Sequence, residues 1–173
     1  MAISLYDISV ANYLQTLGAV RHILERGLTY CREKDMDPQQ IVETRLYADM
    51  QPFRFQIQSI VHHSVNAVEA LKHGAMKAVA PKSLDDYSAL QALVQNACDT
   101  LKAQNPEEIN AREGAEVTFQ AGEHKLPFIA EDFVLSFSLP NFHFHATTAY
   151  DILRSKGVPL GKRDYMGKVR IKR

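Results

Sequence analysis

Residues 3–31 read ISLYDISVANYLQTLGAVRHILERGLTYC and carry apolar side chains at alternating steps of three and four. This stripe consists of Ile3, Tyr6, Val10, Tyr13, Leu17, Val20, Leu24, Gly27 and Cys31. Because an α-helix has about 3.6 residues per turn, the spacing predicts a helix of about eight turns with one apolar face. Ser4 and Asp7 have the spacing of a capping box, which predicts where the helix begins.

Three further stripes with the same spacing follow along the chain. The second consists of Phe53, Ile57, Ile60, Ser64, Ala67 and Leu71, and Gly74 is its expected end. The third, after a capping-box spacing at Ser83 and Asp86, consists of Tyr87, Leu90, Val94, Ala97 and Leu101. The fourth consists of Leu135, Leu139, Phe142, Ala146, Ala149 and Leu153. Pro140 lies inside it and predicts a kink, because proline removes one backbone hydrogen bond.

The segment between the third and fourth stripes has a different pattern. Residues 116–126 are rich in β-branched and aromatic side chains at a period near two, with Gly122 near the middle. This predicts a β-hairpin that pairs residues 117–120 with residues 124–126. The four stripes and their short connections predict an all-α fold, an antiparallel four-helix bundle with this hairpin inserted between the third and fourth helices. Residues 1–173 are expected to form one domain.

The composition is that of an ordinary globular protein. The chain has 46% hydrophobic and 23% charged residues, and its 20 basic and 20 acidic side chains give zero net charge. A protein that binds nucleic acid needs a basic surface, so we expect no nucleic-acid partner. Nothing in the sequence predicts a signal peptide or a membrane span, so we expect no membrane partner. Cys31 and Cys98 are far apart in the sequence and form no C-x-x-C pair, so they do not indicate a disulfide framework. We therefore expect a cytoplasmic protein with reduced thiols.

Histidines on the second and fourth helices are the candidates for chemistry. On the fourth helix, Asn141 and His145 are four residues apart and therefore lie on one face. On the second helix, Gln58 and His62 have the same spacing. Two imidazoles and an amide suit zinc or nickel less well than three imidazoles do, so this would be a weak metal site. The alternative is that these histidines donate hydrogen bonds at the edge of the core.

Aromatic residues around the fourth stripe predict a partner. Residues 142–144 are Phe-His-Phe, so their apolar surface extends beyond the stripe that faces the core. A homodimer is the simplest way to cover it. Tyr150, on the same helix, is a candidate hydrogen-bond partner for a small-molecule ligand.

Four stretches of the sequence resemble a known family. They are Leu5-Tyr6-Asp7, residues 45–52 (RLYADMQP), residues 139–150 (LPNFHFHATTAY) and residues 157–162 (GVPLGK). Together they are similar to a bacterial branch, of unknown function, of the DinB/YfiT-like superfamily. The resemblance covers essentially the whole chain and implies a four-helix bundle that is often dimeric.

The resemblance also implies a metal site. The superfamily commonly binds a divalent metal through one histidine of the second helix and two of the fourth, spaced H-x-x-x-H. Here that pair looks similar to Asn141-x-x-x-His145, so an amide replaces the first histidine. The ligand from the second helix falls at Gln58, His62 or His63.

Two functions from different classes follow. The first is a metal-dependent transferase or hydrolase acting on a small molecule, because the superfamily includes such enzymes. A divalent ion held by His62 and His145 would polarise the substrate or lower the pKa of a bound water or thiol. Asn141 would complete or orient the site. The second is a metal-free bundle that binds a small molecule or dimerises, with Asn141, His145 and Tyr150 as hydrogen-bond partners.

Overall fold

The structure is a computed structural model that describes residues 3–80 and 86–172. It is mostly helical and contains one small sheet. The helices are α1 (Leu5–Ile8), α2 (Val10–Glu33), α3 (Gln39–Val42), α4 (Phe53–Val61), α5 (Ala67–His73), α6 (Tyr87–Lys102), α7 (Pro106–Asn110), α8 (Ala130–Asp132), α9 (Leu139–Ser155) and α10 (Lys162–Met166). Two π-helical segments, His62–Asn66 and Phe133–Ser138, join α4 to α5 and α8 to α9. The strands are β1 (Ala75–Lys77), β2 (Glu116–Ala121) and β3 (His124–Ile129).

The predicted first helix is present but is interrupted at Ser9. The capping box at Ser4 and Asp7 is confirmed, since each side chain bonds the backbone of the other residue. The stripe is buried from Val10 onwards. Ile3 is an exception, because it precedes the cap, lies outside the helix and is 78% exposed.

The four long helical segments pack around one core. Helix α2 contacts α6 and α9, and α4 contacts the same two helices. Every member of the second and third stripes is buried, as their spacing predicts. The predicted all-α bundle is confirmed in part, because the fold is mostly helical but also contains a sheet and several short helices. In the capping box predicted before the third stripe, Ser83 lies outside the described residues. Asp86 accepts a hydrogen bond from the Ser88 backbone.

The hairpin is confirmed at its predicted place, and a third strand joins it. Strands β2 and β3 pair antiparallel and turn at Gly122, which has a φ of 60°. Strand β1 pairs parallel to β2 and completes the order β1-β2-β3. Met76 of β1 is buried, so the sheet lies against the helical core.

The predicted fourth helix, which contains Pro140, begins with a π-helical segment and is not a regular α-helix with one kink. The π-helical segment Phe133–Ser138 ends directly before α9, and Pro140 lies in the first turn of α9. A π-helical turn takes more residues than an α-helical turn and changes which side chains face the core. This explains why Leu135, a predicted core residue, is 52% exposed while Phe133 and Val134 are buried.

A buried chain of hydrogen bonds ties the two π-helical segments together. Tyr13 Oη donates to Ser138 Oγ at 2.8 Å, and Ser138 Oγ donates to the His63 carbonyl oxygen at 2.7 Å. The backbone of His63 is therefore held by side chains from two other helices.

We expect Gly27→Ala to destabilise the protein. A Cβ at this position would lie 2.5 Å from Tyr87 Oη and 3.1 Å from Leu153 Cδ2. Tyr87 cannot retreat without losing the bond that its hydroxyl donates to the Leu24 carbonyl. Overpacking of this kind costs about 1–3 kcal/mol of unfolding free energy, measurable by urea denaturation.

Gly18→Ala is the matched control on the same helix. Nothing lies within 4 Å of a Cβ there, so the substitution should stabilise the helix by up to about 1 kcal/mol. Equal effects of the two substitutions would contradict the packing described at Gly27.

Candidate functional site

Three histidine rings meet where the first π-helical segment faces α9. His62 and His63 belong to that segment, and their ring centroids are 5.2 Å apart at an angle of 88°. The ring of His145, on α9, is 6.0 Å from that of His63 and nearly parallel to it, at 14°. We call His62, His63 and His145 the histidine cluster. Residues from the predicted second and fourth helices are therefore brought together.

The tautomer of His145 follows from its neighbour Gln56. Gln56 Nε2 donates to the Gln51 carbonyl oxygen at 2.9 Å, which leaves the Gln56 Oε1 as an acceptor. His145 Nδ1 lies 2.8 Å from that oxygen and must carry the proton. The lone pair of His145 is thus on Nε2, to which no hydrogen bond is made within residues 3–80 and 86–172.

His62 resembles His145 in having one ring nitrogen hydrogen-bonded and the other without a partner, but its partner belongs to the backbone. The backbone of Lys77 forms a hydrogen bond with the ring and raises its pKa, although burial lowers that pKa more strongly. Nε2 of His62 is buried and has no partner among the described residues, so the bond to Lys77 involves Nδ1. His62 therefore also presents an unpaired lone pair on Nε2.

His63 is the most buried member of the histidine cluster. Only 6% of it is exposed, and its Nδ1 has no hydrogen-bond partner in the part of the chain that the structure describes. Its ring lies edge-on to Phe137, with centroids 5.8 Å apart. Burial, with the proximity of His62 and His145, lowers its pKa to about 3.

The cluster is uncharged at neutral pH. Burial, followed by the proximity of His62, lowers the pKa of His145 to about 4. All three rings are therefore neutral near pH 7, the form in which imidazole binds a metal or accepts a hydrogen bond. A pKa of about 3 makes His63 too weak a base for proton transfer at neutral pH, so its place in the site is that of an acceptor.

The other predicted site residues, Asn141, Gln58 and Tyr150, differ in how they relate to the histidine cluster. Asn141 is half-buried one turn before His145, and its Nδ2 donates to the Phe137 carbonyl oxygen at 2.7 Å. Gln58 is buried on α4 and lines a pocket beside His62. Tyr150 packs edge-on against Tyr165, with centroids 6.0 Å apart, and has no ring contact with the cluster among the described residues.

Sequence reasoning missed Gln56 and understated His63. Gln56 is buried on α4, 89 residues before the histidine that it orients. His63 was only one of three alternatives for the second-helix ligand. The adjacent pair His62-His63 was the signal that could have indicated the site, because it interrupts a largely apolar helix.

A pocket of 290 Å³ opens beside His62. Its walls come from the second predicted helix, from α6 and from the segment at the end of β1. Among the described residues of its wall, Val61 and Leu93 are the larger apolar side chains and Lys77 is the charged one. The cluster is therefore adjacent to a space that a small molecule can enter.

The donor set of the cluster fits a divalent metal of the zinc type. Nitrogen ligands of neutral histidine suit zinc and nickel, and a ligating histidine usually donates its other N–H to a carbonyl. His62 and His145 both meet that description. As the side chains stand, no group of three or more His, Cys, Asp or Glu residues within 3–80 and 86–172 is arranged to hold an ion.

The comparisons with known proteins agree on fold and leave function open. The family model for a domain of unknown function, DUF1993, matches residues 5–166. A solved structure of a DinB family member protein from Shewanella denitrificans superposes with a TM-score of 0.82 at 24% identity, covering 98% of this chain and 95% of that one. No curated protein matches the sequence. Within the described residues, no helix combines the length and apolarity needed to cross a membrane.

Proposed function

The chain belongs to the DUF1993 family and has a DinB-like fold, and from this and the geometry of the histidine cluster we propose that it is a metal-dependent enzyme. In this proposal His62 and His145 hold one divalent ion, zinc or nickel, within a four-helix bundle. The reaction is a transfer or a hydrolysis on a small molecule that enters beside His62.

One observation supports this proposal above the others. The two histidines each have a neutral ring, one nitrogen bonded to a carbonyl oxygen and the other without a partner. His62 Nε2 is buried, and burial of a polar atom without a partner costs free energy, on the order of 1–3 kcal/mol, so proteins rarely keep such an atom without a use. Lone pairs on neutral imidazole nitrogens are the ligands that a Lewis acid such as zinc requires.

The neighbouring residues would have supporting roles. His63 lies between the two rings and would complete the set of ligands or accept a hydrogen bond from the substrate. Asn141 would complete or orient the site through its oxygen, since its Nδ2 already bonds the Phe137 carbonyl. When bound, a divalent ion supplies Lewis acidity, which polarises a substrate or lowers the pKa of a water or thiol.

The alternative is a metal-free bundle that binds a small molecule or serves as a dimerisation module. The pocket of 290 Å³ favours the binding function, because a small molecule can occupy it without a metal. In that case the unpaired nitrogens of the cluster accept hydrogen bonds from the ligand, and Asn141 and Tyr150 remain candidate contacts. Metal affinity distinguishes the two functions.

A homodimer in the bacterial cytoplasm stays a prediction. Phe142 is buried in the core, whereas Phe144 is 60% exposed and is the aromatic side chain of this helix that a partner subunit could cover. Measurement of the molar mass in solution for the natural chain and for Phe144→Ser would test this.

We expect Gln56→Met to weaken zinc binding by about 10–100-fold. Methionine fills a similar volume but offers no carbonyl oxygen, so His145 loses the acceptor that fixes its tautomer. Gln56→Glu keeps an acceptor at the same distance and should retain most of the affinity. Titration calorimetry with zinc on the metal-free protein measures both variants.

Gln95→Met is the matched control, because this half-buried glutamine bonds Arg21 and Asp99, away from the cluster. It should bind zinc like the natural protein. The proposal is wrong if the natural protein binds no zinc, nickel, manganese or iron. An unchanged affinity in Gln56→Met would show that His145 is not a ligand.

A further inference from the structure

Among the described residues, the wall of the pocket beside His62 has one charged side chain, three other polar ones and several apolar ones. Val61, Val79 and Leu93 form apolar parts of its wall, and His62 forms part of the same wall. Its volume of 290 Å³ lies at the lower end of the range of small-molecule sites, roughly 300–1,000 Å³. The occupant is thus a small molecule with a compact apolar part.

The charge of the pocket favours an anion. Lys77 is on its wall, and no carboxylate within residues 3–80 and 86–172 forms an ion pair with that side chain. The backbone N–H groups of Val79 and Ala80, on the same wall, donate no hydrogen bond to any described residue. A cation would be repelled by Lys77, whereas a carboxylate can pair with the Lys77 ammonium and also accept hydrogen bonds from these N–H groups.

We propose that this pocket binds a small monocarboxylate with a branched apolar body. Its carboxylate pairs with Lys77 and its body packs between Val61 and Leu93, so the body comes to lie against the His62 side of the pocket. The proposal deepens the proposed function and rests on it only for the claim that the bound molecule is a substrate. Binding itself requires no metal.

Isovalerate is a suitable probe, because it is a small molecule with a branched apolar body and one negative charge. Isovaleramide has the same shape and no charge. We expect isovalerate to shift the methyl NMR signals of Val61 and Leu93 in metal-free protein, with millimolar affinity. Isovaleramide should bind about fivefold more weakly, the size expected for one exposed ion pair.

Lys77→Gln should remove the difference between the acid and the amide. Lys156→Gln is the matched control, since Lys156 is exposed at the end of α9, and it should keep the difference. Leu93→Phe fills the pocket and should weaken both probes.

The outcomes separate this proposal from the proposed function. Selective isovalerate binding by a protein that binds no metal supports the carboxylate pocket and overturns the metal-dependent enzyme. Equal affinities for acid and amide, selectivity that survives in Lys77→Gln, or no shift at Val61 and Leu93 overturns the carboxylate pocket, whatever the metal affinity is.

Discussion

Acidification from pH 7 to pH 5 should destabilise the metal-free protein by about 2–4 kcal/mol through His63 and His145. Their pKa values in the folded protein are about 3 and about 4, below the ordinary value of 6.5 that applies to the unfolded chain. Between pH 6.5 and pH 4 the unfolded state therefore binds protons that the folded state does not. The free energy of unfolding is highest above pH 6.5 and falls as the pH decreases.

Urea denaturation at pH 7, 6 and 5, with a chelator present, measures this dependence. His63→Leu removes the more strongly shifted ring and should reduce the loss between pH 7 and pH 5 by about 1–2 kcal/mol, the contribution of that ring. His124→Gln changes an exposed histidine of the hairpin and should leave the loss unchanged. A His63→Leu protein with the full pH dependence would contradict the burial described for this ring.

The helices could be predicted from the sequence because their signals are local. The spacing of Tyr87, Leu90 and Val94 needs no knowledge of distant residues, and neither does the capping box at Ser4 and Asp7. Where the chain departs from a regular helix, the prediction fails. Leu135 was expected in the core, but the π-helical segment around it changes the phase of the stripe.

Where the chain departs from a regular helix, it is bonded to residues that are far away in the sequence. The π-helical segments are joined through hydrogen bonds between residues 13, 138 and 63, which are far apart in sequence. Strand β1 was missed for a similar reason, because its three residues form a strand only by pairing with β2, more than 40 residues later. Sequence periodicity holds no information about such pairings.

The candidate site was likewise predicted in part: residues with a local sequence signal were found, and residues placed by tertiary packing were not. The four-residue spacing at His145, and its likeness to a known pattern, was enough to nominate His62 and His145, which the fold brings to one cluster. The carbonyl partners of these rings, Gln56 and Lys77, could not be predicted, because each is brought to its histidine by tertiary packing.

His145→Ala should abolish metal binding. In the proposal His145 supplies the only imidazole ligand from α9, and its loss leaves the ion with ligands from one side of the site. We therefore expect the affinity to fall by more than about 100-fold. His143→Ala is a good control, because its ring lies on the same helix but faces Tyr165.

The metal content of the untagged protein tests the central claim most directly. The protein is incubated in turn with zinc, nickel, manganese and iron, desalted, and analysed by plasma mass spectrometry beside His145→Ala and His143→Ala. The account predicts close to one zinc or nickel ion per chain in the natural protein and in His143→Ala, and none in His145→Ala. Protein that stays metal-free under every condition would contradict it and leave the small-molecule-binding bundle as the function.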